Sequence, residues 1–168
     1  MNESSLAASW LAFHQLVGEA AATLAGLVFV SASVKTRSLH LLRKGRLVTV
    51  ALKSFGSLGL TLVVSLAMCF PASESFFAGL LIAIPCSLNI IYTIPQFVEI
   101  GRERGAGRFS FIVQRMLMPS VAYLGIDFAC FKILAGEAIP QQLIAACQVM
   151  LLYAGVSNAW FLLVAEET

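Results

Sequence analysis

Residues 13–34 read FHQLVGEAAATLAGLVFVSASV, a run of 22 residues holding one acid, Glu19, and no Lys or Arg. At a helical rise of about 1.5 Å per residue, such a run can cross the roughly 30 Å hydrocarbon core of a bilayer. It leads straight into a basic stretch, Lys35, Arg37, Arg43, Lys44 and Arg46. It lacks the alternation of a strand, and lipid tolerates no open sheet edge, so it reads as a helix.

The rest of the chain agrees with that beginning. Of 168 residues, 59% are hydrophobic and 12% charged, with a mean hydropathy of +0.87. Soluble domains carry about 25% charged residues, so this chain has too few to cover a water-facing surface. A net charge of +2 gives no footing for a nucleic-acid partner. The N-terminal MNESSLAASW carries Glu3 and no Lys or Arg. It lacks the basic start of a signal peptide, so the first span is expected to be retained.

Four further segments are long and apolar. The expected fold is all-α: one domain over residues 1–168, with membrane helices at about 13–34, 47–70, 74–97, 111–134 and 139–165. The first linker is basic, and so is the third, with Arg102, Arg104 and Arg108, and Arg115 just beyond. The second, PASES, and the fourth, AGEAIPQQ, hold no Lys or Arg. Positive loops stay cytoplasmic, which orients the chain N-terminus out and C-terminus in. In the first linker Leu39, Leu41 and Leu42 alternate with Lys35, Arg37, Arg43, Lys44 and Arg46. Such a stretch either lies on an anionic lipid surface or serves only as the topology signal. His40 within it reads as solvated. Pro85, Pro95 and Pro119 are expected to kink their helices.

Ionisable groups inside spans are candidate functional residues by default. Glu19 and Asp127 lie about 24 and 18 Å from the cytoplasmic edge, at comparable outer depths. Lys53 and Asn158 lie nearer the inner side. One face of the fourth helix carries Arg115, Pro119, Tyr123 and Asp127, and Tyr123 could hydrogen-bond Asp127 one turn away. The third helix places Asn89, Thr93 and Gln96 together, and the fifth lines up Gln148, Gly155 and Asn158. Glu19 and Asp127, with Tyr123, Lys53, Asn89 and Asn158, could form a water-lined path or ion site, because paired carboxylates suit proton or cation handling. Alternatively the acids are packing groups, and Lys53 and Lys132 snorkel to the two interfaces. On the first helix, His14, Gly18, Ala22 and Gly26 recur every fourth residue, a small-residue stripe for helix or subunit packing. Cys69, Cys86, Cys130 and Cys147 read as small apolar packing residues, or as a Cys69–Cys130 disulfide with two free thiols.

Enzyme signatures are missing: no HExxH, no GxSxG and no P-loop occurs. Neither His14 nor His40 has a metal-ligand partner at usable spacing, so no catalytic, metal or cofactor site is expected.

At GEAAATLAGLVFVSASV and SNAWFLLVAEE the chain resembles a family of small uncharacterised bacterial five-span inner-membrane proteins. That family carries a GLxFVxxS pattern in its first helix and NAWxLLVE in its last. The resemblance covers about 30 residues in two stretches. It implies a bacterial cytoplasmic-membrane protein, with Gly26, Ser31, Asn158, Trp160 and Glu166 at patterned positions, and it implies no activity. IPQFVEIGRERGAGRFSF is also similar to the proline–glutamine motif and basic loop of the PQ-loop carriers, through Pro95, Gln96 and Ser110. Those carriers repeat the motif, and the first half of this chain has no Pro-Gln pair.

The expected function is an ion- or proton-conducting channel or carrier. Five short-looped helices enclose little, so a pore would need several copies around an axis, a homo-oligomer in the lipid bilayer. The alternative is a non-catalytic subunit or assembly partner of a larger membrane complex.

Overall fold

The computed structural model describes residues 3–36, 44–70, 75–102 and 117–164. Five helices account for nearly all of them: α1 Glu3–Thr36, α2 Lys44–Met68, α3 Ser75–Arg102, α4 Met118–Leu134 and α5 Gln141–Val164. No strand occurs among the described residues. The fold is all-α, as expected. Two stretches are long and apolar enough to cross a membrane, Ser5–Val30 and Gln141–Trp160. Ser54–Met68 and Phe76–Ile91 are apolar but shorter.

Helix boundaries differ from the apolar runs where propensity and apolarity part company. The first helix begins ten residues before the expected residue 13, at Glu3. ESSLAASWLA contains no Gly or Pro and is rich in good helix formers. α3 likewise runs to Arg102, beyond the expected residue 97, and continues through both Pro85 and Pro95. Pro119 falls in the first turn of α4 as the described residues delimit it, after Leu117, whose backbone is already helical at φ −67° and ψ −44°. Residues 111–116, including Arg115, lie outside the described residues.

The helices form a closed ring, each packed on its neighbours in sequence and α5 returning to α1. α2 and α5 also pack on each other across the ring. This divides the bundle into a trio, α1, α2 and α5, and a quartet, α2 to α5. The quartet holds the apolar core, around Val64, Ile82, Ile126, Ile144 and Leu151. α4 turns into α5 through Gly136, whose φ of +76° is strained for a side-chain-bearing residue. Its N–H donates to the Ile133 carbonyl at 3.1 Å, while the Glu137 N–H donates to the Lys132 carbonyl at 2.9 Å. Beside this turn Lys132 pairs with Glu137 at 2.6 Å on the surface.

On α1 the buried line is His14, Val17, Ala21 and Val28, a spacing close to seven, as when helices cross at a shallow angle. The expected four-residue stripe therefore splits. Four residues advance about 400° around a helix, so the stripe drifts about 40° per step. His14 and Gly18 are buried, whereas Ala22 and Gly26 face outward.

The surface is apolar and the interior partly polar. Leu16, Phe77, Phe131 and Trp160 are each about two-thirds exposed. His14, Ser54, Ser57, Thr61, Ser65, Gln148 and Asn158 are all buried.

Candidate functional site: a buried polar seam

α2 carries Ser54, Ser57, Thr61 and Ser65 at spacings of three, four and four. These intervals place all four hydroxyls on one helix face, spread over about 16 Å of axis. Each is 2% exposed or less. The face looks into the bundle, towards α5 and its neighbours on either side.

At the Ser65 end the seam joins α1 and α5. Gln148 donates from Nε2 to Ser65 Oγ at 2.9 Å. Its Oε1 lies 2.9 Å from His14 Nδ1, and His14 Nε2 lies 3.0 Å from Gln141 Oε1. Gln141 and Gln148 stand seven residues apart on α5, two turns, and grip opposite edges of one imidazole. Gly18 lets α1 come near: a Cβ there would lie 3.0 Å from Ser65 Cβ. The Trp10 indole is inclined 29° to the His14 ring, with 6.4 Å between centroids.

One turn along, the Thr61 hydroxyl donates to the Ser57 carbonyl at 2.9 Å. Ser57 Oγ in turn lies 3.1 Å from the Tyr123 hydroxyl, which ties α2 to α4. Tyr123 therefore bonds Ser57 rather than Asp127, contrary to the expected pairing. Cys86 donates its thiol to the Tyr123 carbonyl at 3.1 Å, joining α3 to the same place. Asp127 is half-buried beside Cys86, and its Oδ1 is buried without a hydrogen-bond partner among the described residues.

The other expected site residues are dispersed. Glu19 lies on the outward face of α1, exposed. α1 packs against α2 and α5, and α4 against α3 and α5, so Glu19 and Asp127 are not brought together. Asn89 is half-buried and donates to the Pro85 carbonyl at 3.0 Å, a local bond on α3. Asn158 is buried. Lys53, Lys35, Lys44 and Arg46 belong to helices, but their side chains lie outside the described residues, as do Arg37 and Arg43 altogether. All four cysteines are free thiols, so the Cys69–Cys130 disulfide is not formed.

Sequence reasoning followed charge and so passed over the hydroxyls of α2. Their three-and-four spacing was the available signal. The partners of His14 were legible in part, since Gln141 and Gln148 share a face of α5. Among the described residues no cluster of His, Cys, Asp and Glu is arranged to hold a metal ion. Comparison of the chain with family models, with curated proteins and with solved structures gives no match in any of the three.

Proposed function

We propose that the chain is an integral membrane protein, a five-span bundle oriented N-terminus out and C-terminus in, that carries protons through its own interior. The membrane setting is supported by the apolar surface, the polar interior and the two basic linkers. The likeness to bacterial five-span proteins favours the cytoplasmic membrane of a bacterium. The observation that carries the proton reading is the seam itself: His14, Gln148 and Ser65, then Thr61, then Ser57 and Tyr123, all buried. In an apolar interior each such group costs free energy unless partnered. Here side-chain bonds partner His14, Gln148 and Ser65 at one end and Ser57 and Tyr123 at the other, while Thr61 between them donates to the Ser57 backbone carbonyl. Such hydroxyl, amide and imidazole groups suit proton hopping better than passage of a hydrated ion.

The test is proton flux into liposomes holding the purified protein, driven by a potassium diffusion potential and read with an internal pH dye. The expected result is acidification faster than in empty vesicles, slowed at least several-fold by Gln148→Leu or Thr61→Val. Vesicles indistinguishable from empty ones would reject the reading.

A second reading, an assembly subunit, is favoured by the outward face of α1. Gln15, Glu19, Ala22, Thr23 and Gly26 are all exposed there. A carboxyl and an amide facing lipid are costly, and small residues beside them allow a neighbouring helix to come close. This face suits a second copy of the chain or another membrane subunit. Native mass spectrometry in mild detergent separates the two: a second, co-purifying chain supports the subunit reading, and a monomer or a clean homo-oligomer with no companion rejects it.

A further inference from the structure

α1 meets its own bundle along one side, where His14, Val17, Gly18, Ala21 and Val28 are buried and α2 and α5 are its neighbours. A second line runs along the exposed side: Ala8, Ala12, Gln15, Glu19, Ala22 and Gly26, at spacings of four, three, four, three and four. That alternation is the repeat of a left-handed helix pair, and it holds one seam towards a neighbouring helix over the whole distance. Every residue in the line is small or polar. The exposed residues beside it, Leu16, Leu27 and Val30, are large and apolar, as suits a face turned to lipid.

The bundle itself leaves two features of this line unexplained. Gly18 is required by α2, since a Cβ there would lie 3.0 Å from Ser65 Cβ, whereas a Cβ at Gly26 would meet nothing within 4 Å among the described residues. A glycine inside a helix is less stable than alanine, and the chain's own packing does not call for one at residue 26. α1 also outruns both helices it packs on. α5 starts at Gln141, level with His14, and α2 ends at Met68, three residues past the Ser65 that faces Gly18. Residues 3–13 therefore project about 16 Å beyond both. Residues 5–9, 11 and 12 are exposed on this projection, and the line continues onto it through Ala8 and Ala12.

We infer that α1 pairs side by side with α1 of a second copy, parallel to it, about a two-fold axis along the membrane normal. The inference rests on the proposed membrane setting and on neither functional reading, and it gives the outer face of α1 to a second copy rather than to another subunit. The neighbour that fits is a helix with small residues at the same depths and the same reach beyond the bundle. A second α1 meets these conditions by symmetry. Both copies insert the same way, so the pair is parallel and each residue faces its own counterpart. Ala8, Ala12, Ala22 and Gly26 then let the two backbones come close. Gln15 and Glu19 form one polar block between them, with the amide of one copy about a helical turn from the carboxyl of the other. A polar block inside such a seam fixes its register.

The experiment is disulfide cross-linking in native membranes with copper phenanthroline. The Cys69→Ser background leaves Cys86, Cys130 and Cys147, all buried. Single substitutions Ala12→Cys, Ala22→Cys and Gly26→Cys lie on the line, and Leu16→Cys and Leu27→Cys lie about 100° or more round the helix from it. The expected result is a dimer-sized band at least several-fold stronger from the first three than from the last two. Gly26→Leu, for which the single copy has room, should insert normally and abolish the band from Ala22→Cys. Equal bands at all five positions would mean random collision and overturn the inference. So would no dimer band, or a band at the mass of a different chain. A chain washed from the membrane by alkaline carbonate would instead reject the membrane setting, and the parallel pair with it. Flux is read separately: a pair that cross-links along the line but conducts nothing rejects transport and leaves the pair standing.

Discussion

Leu58 of α2 packs directly on the bare backbone of Gly155 on α5: a Cβ at residue 155 would lie 2.7 Å from Leu58 Cγ and Cδ2. This contact sets the distance between the two helices that cross the ring. Leu58 is fully buried and cannot swing aside freely. Gly155→Ala should therefore destabilise the bundle by about 1–3 kcal/mol, the usual cost of overpacking. Leu58→Ala in the Gly155→Ala background should recover part of that loss, whereas Leu58→Ala alone should be destabilising. Unfolding in mild detergent, followed by circular dichroism against denaturant, reads all three. Equal stability of Gly155→Ala and the parent would mean α2 and α5 are further apart.

The Ser57–Tyr123 bond links α2 to α4. Tyr123→Phe removes one hydroxyl and leaves the other buried without that partner. Interhelical bonds in membrane bundles average about 0.6 kcal/mol, and roughly that coupling is expected in a Ser57→Ala, Tyr123→Phe cycle. Ser57→Ala should accordingly cost less in the Tyr123→Phe background than in the parent. Additive losses would show that the two hydroxyls do not bond.

Much of the fold was legible because helix and apolarity coincide in this chain. Where they separate, the reading slipped: Glu3 to Ala12 is helical by propensity, without the unbroken apolarity that marked the spans. The candidate site was less legible for a geometric reason. Depth along a helix follows from counting residues, but the face a residue presents depends on which neighbours surround it. Glu19 and Asp127 were matched in depth, yet α5 stands between their helices and Glu19 points outward. Ser54, Ser57, Thr61 and Ser65 carry no charge and escaped notice, although their spacing already put them on one face. His14 found partners only because α5 returns beside α1, a contact 134 residues apart in sequence.

The separation of the two acids gives them different expected phenotypes. Glu19→Gln should leave proton flux unchanged and alter the mass distribution in mild detergent, because the residue lies on the outer face of α1. Asp127→Asn should fold and insert at least as well as the parent, since a neutral carboxamide removes the cost of holding a charged carboxylate where Oδ1 has no partner among the described residues. It should lower flux if the seam runs past Tyr123 to that carboxyl. Reduced flux from Glu19→Gln with unchanged mass would invert the assignment.

Cys69 offers a direct reading of orientation. It sits just past the end of α2, half-exposed, while Cys86, Cys130 and Cys147 are buried. If the basic linker before α2 is cytoplasmic, α2 climbs outward and Cys69 lies at the external surface. A membrane-impermeant maleimide added to right-side-out vesicles should then label one thiol per chain, and Cys69→Ser should abolish the signal. Inverted vesicles should label only after detergent is added. Labelling confined to inverted vesicles would reverse the topology, and labelling of several thiols on sealed vesicles would contradict the packing of α3, α4 and α5. The same signal tests the thiol state. A chain with Cys69 tied to Cys130 would take label only after reduction, so labelling without reductant requires both cysteines to be free where the structure places them.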